Sequence, residues 1–483
     1  MKRFILPRLQ DIMFLVIFVA AVFLGPRMLT MDGDLPRHLA MGRYVAQHGL
    51  PPSVDIFSHT VSGIPFAPHE WLAGLLFYIV YSFFGLNGII ILAATLLATT
   101  FTIIYAYGVT VTEIRLPIFF LTAFGAVISS LHWIVRPHLF TMLILAIWLI
   151  LTDRLSKEKN MGIWIFPAIM LLWVNIHGEF VIGFLVLGAF LAGWCWDFTF
   201  YRAETSVNQG VRLGLAGGLS FLASMVNPVS WNIWGTVIGY VNNGYLTSHT
   251  NEYNPPDFSQ PKFMVFLFFL AISIVLLSIK KKPIPTSAAL LLAGFSAMGL
   301  ISARNLHLYG IVAPFVLANT IPGSEIILLM KQPEILFAKV ENQLKGFVWP
   351  IATILIFCAS MSWGLIDRNR FDPAYFPVDA VNWLKANPQP GNMFNNFDWG
   401  GYLIFNLWPE KKVFIDGQTD VYGEALTRKY EQIITLKSDW ENILPEYDVR
   451  WAIIPPNWPL SDALRKAGWR ELYRDKTAAI FGR

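Results

Sequence analysis

Charge is what this sequence has least of. Asp, Glu, Lys and Arg make up 14% of its 483 residues, against about 25% in an ordinary soluble domain, while 55% of residues are hydrophobic. That balance excludes a water-soluble enzyme and indicates a polytopic membrane protein. Cysteine is also scarce: Cys195 and Cys358 both lie inside apolar runs, which excludes a disulfide framework and a cysteine zinc site. The net charge is only +4, and the basic residues sit mostly between apolar runs. That is the positive-inside bias of a membrane protein, so no nucleic-acid partner is implied. Internal repeats and low-complexity tracts are missing, and no small-x-small cleavage site follows the apolar run from Ile12 to Leu24. That run is therefore expected to stay as an uncleaved first span.

What is present is a series of apolar runs. A span needs about 20 apolar residues, fewer where aromatic or snorkelling residues finish the ends. Eleven runs qualify, roughly 12–29, 87–109, 116–134, 138–152, 162–177, 180–198, 211–226, 263–279, 284–302, 306–321 and 347–366. With Lys2, Arg3 and Arg8 in the cytoplasm, alternate loops carry Arg115, then Arg154, Lys157 and Lys159, then Arg202 and Arg212, then Lys280 to Lys282, then Lys331, Lys339 and Lys345. Each obeys the positive-inside rule. The segment from His69 to Phe84 is apolar but short, and counting it as a span would invert every later loop. It reads instead as a helix lying on or dipping into the outer membrane face, with Trp71, Tyr78 and Tyr81 suited to the interface.

Composition shifts at Asp367. Strands are expected at Asn392 to Phe397, Lys412 to Asp416, Arg450 to Pro455 and Ala478 to Phe481, and helices at Pro377 to Lys385, Gly400 to Leu407, Glu424 to Thr435 and Ser461 to Ala467. Such alternation predicts a small α/β domain with a largely parallel sheet. The expected fold is a mainly α membrane protein with membrane-surface helices in its first outer loop. Residues 1–366 form the polytopic part, with that loop at 30–86, and 367–483 an extracytoplasmic α/β domain. The N-terminus is then cytoplasmic and the tail periplasmic, in a bacterial inner membrane.

This topology collects the unusual polar residues on the outer side. Directly after the first run, Met31-Asp-Gly-Asp-Leu-Pro-Arg-His38 crowds Asp32, Asp34, Arg37 and His38 together, followed by His69 and Glu70. Later outer turns supply His132, Arg136 and His138, then His177 and Glu179, then Glu252, then Arg304 and His307. All nine histidines fall on this side. Ionisable residues near membrane depth are costly and usually mark a site. Carboxylates beside histidine can deprotonate a hydroxyl or hold a divalent cation, and arginine grips phosphate in bidentate fashion. The mix suits transfer from a phosphorylated donor to a hydroxyl. No cofactor is demanded, though a divalent cation such as Mg or Mn is admissible. Aromatics between Asn227 and Lys262, namely Trp231, Trp234, Tyr240, Tyr245 and Tyr253, offer faces for sugar rings or an interface belt.

Each signal also has a plainer reading. Asp-Gly-Asp is ordinary turn chemistry, arginines at helix ends snorkel, and His138, His177 and His307 taken singly read more readily as helix-end hydrogen-bonders than as ligands. Asp34 is preferred over Asp32 as a functional carboxylate because a helix starting near Pro36 would make it the N-cap beside His38. In the tail, Asp416-Gly417 resembles a phosphate or metal loop only weakly, Gly400-Gly401 reads as a tight strand-to-helix turn, and no catalysis is expected there.

The acidic motif after the first span (Asp32-Gly-Asp34 with His38), about eleven spans and a C-terminal outer domain resemble the C-type glycosyltransferase superfamily. More narrowly, Gly42-Arg43, Asp55-Ile-Phe-Ser58, His69-Glu70-Trp71, Trp399-Gly-Gly-Tyr402 and Val413-Phe-Ile-Asp-Gly417 are similar to an uncharacterised bacterial branch of it. The resemblance implies a polyprenyl-phosphate sugar donor, a glycan, lipid or protein acceptor, and a base in the first outer loop, a role that falls on Asp34 or Asp32. Arg136, Arg304 and His307 are then expected to neutralise the donor phosphate. Arg37, His38, His69, Glu70, His138, His177 and Glu252 would bind substrate or support the site. Two rival readings are a lipid-linked glycan flippase, with charge spread toward both faces, and a non-catalytic subunit retaining the scaffold.

Overall fold

The computed structural model describes residues 6–31, 33–157, 161–201, 206–248, 251–279, 283–320, 334–335, 337–344, 346, 348–364 and 368–483. Every expected apolar run is helical: α1 (Leu9–Thr30), α3 (Trp71–Thr112), α4 (Leu116–Ser129), α5 (His138–Lys157), α6 (Ile165–Ile176), α7 (Val181–Phe200), α8 (Val207–Ala223), α11 (Pro261–Ser278), α12 (Thr286–Ile301), α13 (Leu306–Thr320) and α14 (Val348–Ser362). Between them lie α2 (Asp34–His48) in the first loop and the short α9 (Asn232–Asn242) and α10 (Gly244–Ser248). Among the described residues five helices are long and apolar enough to cross a membrane, and four more are shorter apolar helices. The chain is a multi-pass, mainly α membrane protein.

At Gly85 the backbone of α3 takes φ 58° and ψ −156°, a left-handed conformation that only glycine adopts without strain. Residues 71–84 and 86–112 are thus two helices pointing in different directions. The break expected after Phe84 is there. Trp71 donates to Asn175 Oδ1 at 2.8 Å and Tyr81 packs edge-on against Phe405 at 5.5 Å. These rings bind the segment to protein.

The tail contains α15 (Val378–Ala386), β1 (Asn392–Asn395), α16 (Gly400–Leu407), α17 (Thr419–Ile434), α18 (Trp440–Glu446), β2 (Val449–Ile454), α19 (Pro459–Lys466), β3 (Arg470–Arg474) and β4 (Ala479–Gly482). The sheet order is β1-β2-β4-β3. The expectation of a largely parallel sheet needs correction: only β1 and β2 pair in parallel, and β4 runs antiparallel to both β2 and β3. Residues 412–416 are not a strand of it either. Val413 makes an isolated bridge with Ser58 of the first loop, and the Asn395 side chain binds the backbone of Phe414 and Ile415.

α2 sits where the two parts meet. Its backbone ends on Gly49 in the left-handed region (φ 84°), the usual glycine stop. Leu35 and Leu39 enter the core of the helical bundle. Ala40, Met41 and Val45 enter a second core, shared with Phe376, Leu384, Met393, Leu403, Trp451 and Ile480 of the tail. The helix is buried along most of its length because it has apolar partners on two sides.

One further expectation is amended. Buried acids also occur at the opposite ends of the helices, where Asp153 meets Lys157 (2.7 Å) and Tyr107, Arg115 meets Glu334 (3.1 Å) and Glu341 (2.6 Å), and Asp11 meets Arg8 (3.0 Å). These are paired acids that close helix ends.

Candidate active site

Three short connections shape the site. After α4, between α6 and α7, and between α12 and α13, the chain makes single 3-10 turns, Ser130–His132, Gly178–Phe180 and Ala303–Asn305. Each turn follows an apolar helix and brings one polar side chain to the cavity: His132, Glu179 and Arg304. Together with the start of α2, residues 69–70 and the tail segment 417–420, they line a cavity of about 560 Å³.

Around it runs a ring in which carboxylates alternate with arginines and histidines. Arg136 holds Asp34 (Nη2 to Oδ2, 3.1 Å) and Glu252 (Nη1 to Oε1, 3.1 Å). Arg304 reaches Glu252 at 3.8 Å and Glu179 at 3.5 Å. His177 stands between Glu179 and Glu70, at 3.5 Å from each, and Glu70 faces His38 Nε2 at 3.8 Å. His38 lies one helical turn after Asp34, so the ring closes on α2. Asp34, Arg37, His38, His69, Glu70, Arg136, His138, His177 and Arg304 line the cavity. Glu252 takes part through both arginines. Asp32 lies outside the described residues.

Three expected roles change. Asp34 is the first residue of α2 and Gly33 takes the cap position, so its carboxylate turns to Arg136, where its charge also favours the helix N-terminus. His307, expected to meet phosphate, is fully buried behind the wall, with Nδ1 2.6 Å from the Arg304 carbonyl and Nε2 3.4 Å from Glu179. It stacks on His132 at 5.2 Å, with His138 4.7 Å from His132. It positions Arg304 and Glu179. Arg37 is bound by Asp416 (3.0 Å) and lies over Phe57 (5.6 Å). Asp416 is itself fully buried and accepts from Tyr422 at 2.8 Å, so the pair ties α2 to the tail.

The tail enters the site more deeply than the sequence suggested. A Cβ at Gly417 would fall 2.1 Å from Asp34 Oδ1, so a side chain here would displace the Asp34 carboxylate. Gly400 and Gly401 serve packing, since their backbone is ordinary helix and a Cβ there would meet Ile415 O at 2.4 Å and Gly33 O at 2.3 Å. Gln418, Thr419 and Asp420 complete the wall. No local signal marks these three, because only the fold brings residue 420 to residue 34. Of the aromatics, Tyr240 and Tyr253 line the cavity, and Arg304 lies over Tyr253 at 5.2 Å. Trp234 packs against Phe180 at 5.1 Å and Tyr245 binds Glu431 of the tail at 2.7 Å.

Burial raises the pKa of Asp34, with Glu70, Glu252 and Asp416 adding to the rise and Arg136 opposing it. For Glu70 burial is outweighed by His69, His38, His177 and Arg304, and its pKa falls to about 2. Among the described residues no three His, Cys, Asp or Glu side chains converge to hold a metal ion. Asp34, Glu252 and Glu179 face arginines, and Glu70 faces His38 and His177.

No protein-family model and no curated protein matches the sequence. Solved structures do. The chain is similar to the archaeal oligosaccharyltransferase AglB from Archaeoglobus fulgidus, in complex with an inhibitory peptide and a dolichol-phosphate, at TM-score 0.54 and 11% identity over 92% of this chain and 69% of that one. It is also similar to ArnT from Cupriavidus metallidurans in the apo state, at TM-score 0.53 and 13% identity over 97% of each chain. The chain has the C-type glycosyltransferase fold. A third C-type structure, ArnT from the same organism bound to undecaprenyl phosphate, matches at TM-score 0.50 and 12% identity, again over 97% of each chain.

Proposed function

We propose that this protein is a membrane glycosyltransferase that takes a sugar from a polyprenyl-phosphate donor and passes it to a hydroxyl of a glycan, lipid or protein at the outer face of a bacterial inner membrane. The observation that carries the proposal is the amphipathic cavity. Arg136 and Arg304 stand at its polar end, and Leu185, Val241 and Ile301 line it while remaining exposed on the protein surface. A phosphate and a prenyl chain have opposite needs, and this cavity meets both. Two of the similar C-type structures carry such lipids, a dolichol-phosphate and undecaprenyl phosphate.

In this mechanism the donor phosphate draws Arg136 and Arg304 away from their carboxylate partners. Asp34 is thereby released to act as base. The acceptor oxygen attacks the anomeric carbon and its proton passes to Asp34. The bond from the anomeric carbon to the phosphate oxygen breaks, and the electron pair leaves with the polyprenyl phosphate, whose charge the two arginines balance. Glu70 and His177 hold the remaining ring in place. Asp32, beside Asp34 in sequence, is the alternative base.

Asp34→Asn tests the assignment. General-base catalysis contributes about 10²- to 10⁴-fold, so transfer measured with a short-chain polyprenyl-phosphate sugar should drop by that factor while lipid binding persists. Undiminished transfer by both Asp34→Asn and Asp32→Asn sinks the mechanism.

A further inference from the structure

The cavity contains one segment, the residue before α17 and its first two residues, that the transfer mechanism does not use. Gln418, Thr419 and Asp420 come from the tail, and all three line it. Asp420 is half-buried, and its carboxylate accepts from its own backbone N–H. Its electrostatic neighbours are His69, Arg37 and Glu70. The side-chain carbonyl oxygen of Gln418 is buried without a hydrogen-bond partner. Thr419 donates to the Tyr240 hydroxyl at 3.1 Å, and the Tyr240 ring lies 5.9 Å from that of Tyr253, which sits beneath Arg304.

The wall that runs from Arg304 through Tyr253 and Tyr240 to Thr419 therefore changes chemistry along its length. Arg136 and Arg304 supply donors only, which suits phosphate oxygens. Asp420 as carboxylate and the Gln418 carbonyl supply acceptors, which repel a phosphate and call for a ligand rich in O–H groups. Two tyrosine rings join these ends, and flat aromatic faces cover the C–H face of a sugar. Resting on the donor class proposed above, we infer that Asp420 determines sugar specificity: its carboxylate accepts hydrogen bonds from hydroxyls of the transferred sugar, so the C-terminal region reads the sugar while the membrane helices hold the phosphate. A site built to hydrogen-bond a hydroxyl discriminates strongly against a partner lacking it.

The test compares wild type with Asp420→Asn and Asp420→Ala for binding of geranylgeranyl phosphate, bare and as its glucosyl, galactosyl, mannosyl, arabinosyl and N-acetylglucosaminyl diesters. Wild type should prefer one diester over the bare lipid, and Asp420→Ala should weaken that diester at least tenfold while leaving the bare lipid unchanged. Unchanged bare-lipid affinity also shows that the variant is folded. Asp420→Asn, which keeps an acceptor but loses the charge, should fall between the two. Equal losses for bare and glycosylated lipid, no loss at all, or a wild type with no preference among the lipids would overturn the inference. A wild type that binds none of them overturns the donor class itself.

Discussion

Asp34 carries more of the proposed chemistry than any other residue, and its neighbours set when it can act. Its pKa lies above the ordinary 3.8 because it is buried and faces Glu70, Glu252 and Asp416, with Arg136 opposing. A base must be unprotonated, so activity is lost as pH falls through this raised value, and the acid limb of kcat/KM should lie above that of a free aspartate. Glu70, held near 2, remains charged across that window. Replacing it in Glu70→Gln removes one negative neighbour, and the acid limb of kcat/KM should move to lower pH; a limb that stays in place or rises would exclude Asp34 as the titrating base. The residues of this ring were largely legible in the sequence, because Asp34, Glu70, Arg136, His177 and Arg304 are ionisable groups beside apolar runs where polarity is costly. Asp420 was not legible, since it sits in a segment of ordinary polarity and its significance comes only from what folds against it.

At the scale of elements, α2 and α16 form the joint that holds the site. The Gly401 position touches Gly33 O and the Arg37 side chain, directly beside the proposed base. Gly401→Val must push α16 off α2, at a cost of about 1–3 kcal/mol for an overpacked contact. It should lower the Tm in detergent and reduce transfer at least tenfold, although residue 401 does not line the cavity; unchanged activity would mean that α16 does not position Asp34. Element prediction from sequence succeeded where one physical demand dominates, as for the long apolar helices. It failed where partners decide. Lys412 to Asp416 has strand propensity, yet its hydrogen bonds go to the first loop and to Asn395. Arg470 to Arg474 is charged at both ends and exposed there, yet it pairs with β4 at the sheet edge.

For the whole molecule, the question is whether the two ends of the helices do different work. α5 has 20 residues, about 30 Å at 1.5 Å per residue, and joins the cavity at His138 to the Asp153 pair at its other end. The cavity end is open, with arginines shared between carboxylates and so ready to exchange them for a ligand. At the far end Asp153 is closed by Lys157 and Tyr107, and Arg115 by Glu334 and Glu341. A lipid-linked glycan transporter would need its charges at both ends to meet cargo in turn, whereas a transferase working at one face needs the far end only for packing. Asp153→Asn separates the two. Its amide still accepts from Tyr107, and Lys157 can turn to solvent, so the loss should be about 1–2 kcal/mol of stability, read as a lower Tm. Transfer per folded molecule at the cavity end should be unchanged. A loss of turnover in Asp153→Asn without a loss of lipid binding would instead point to a path that runs the length of α5, and to movement of lipid across the membrane.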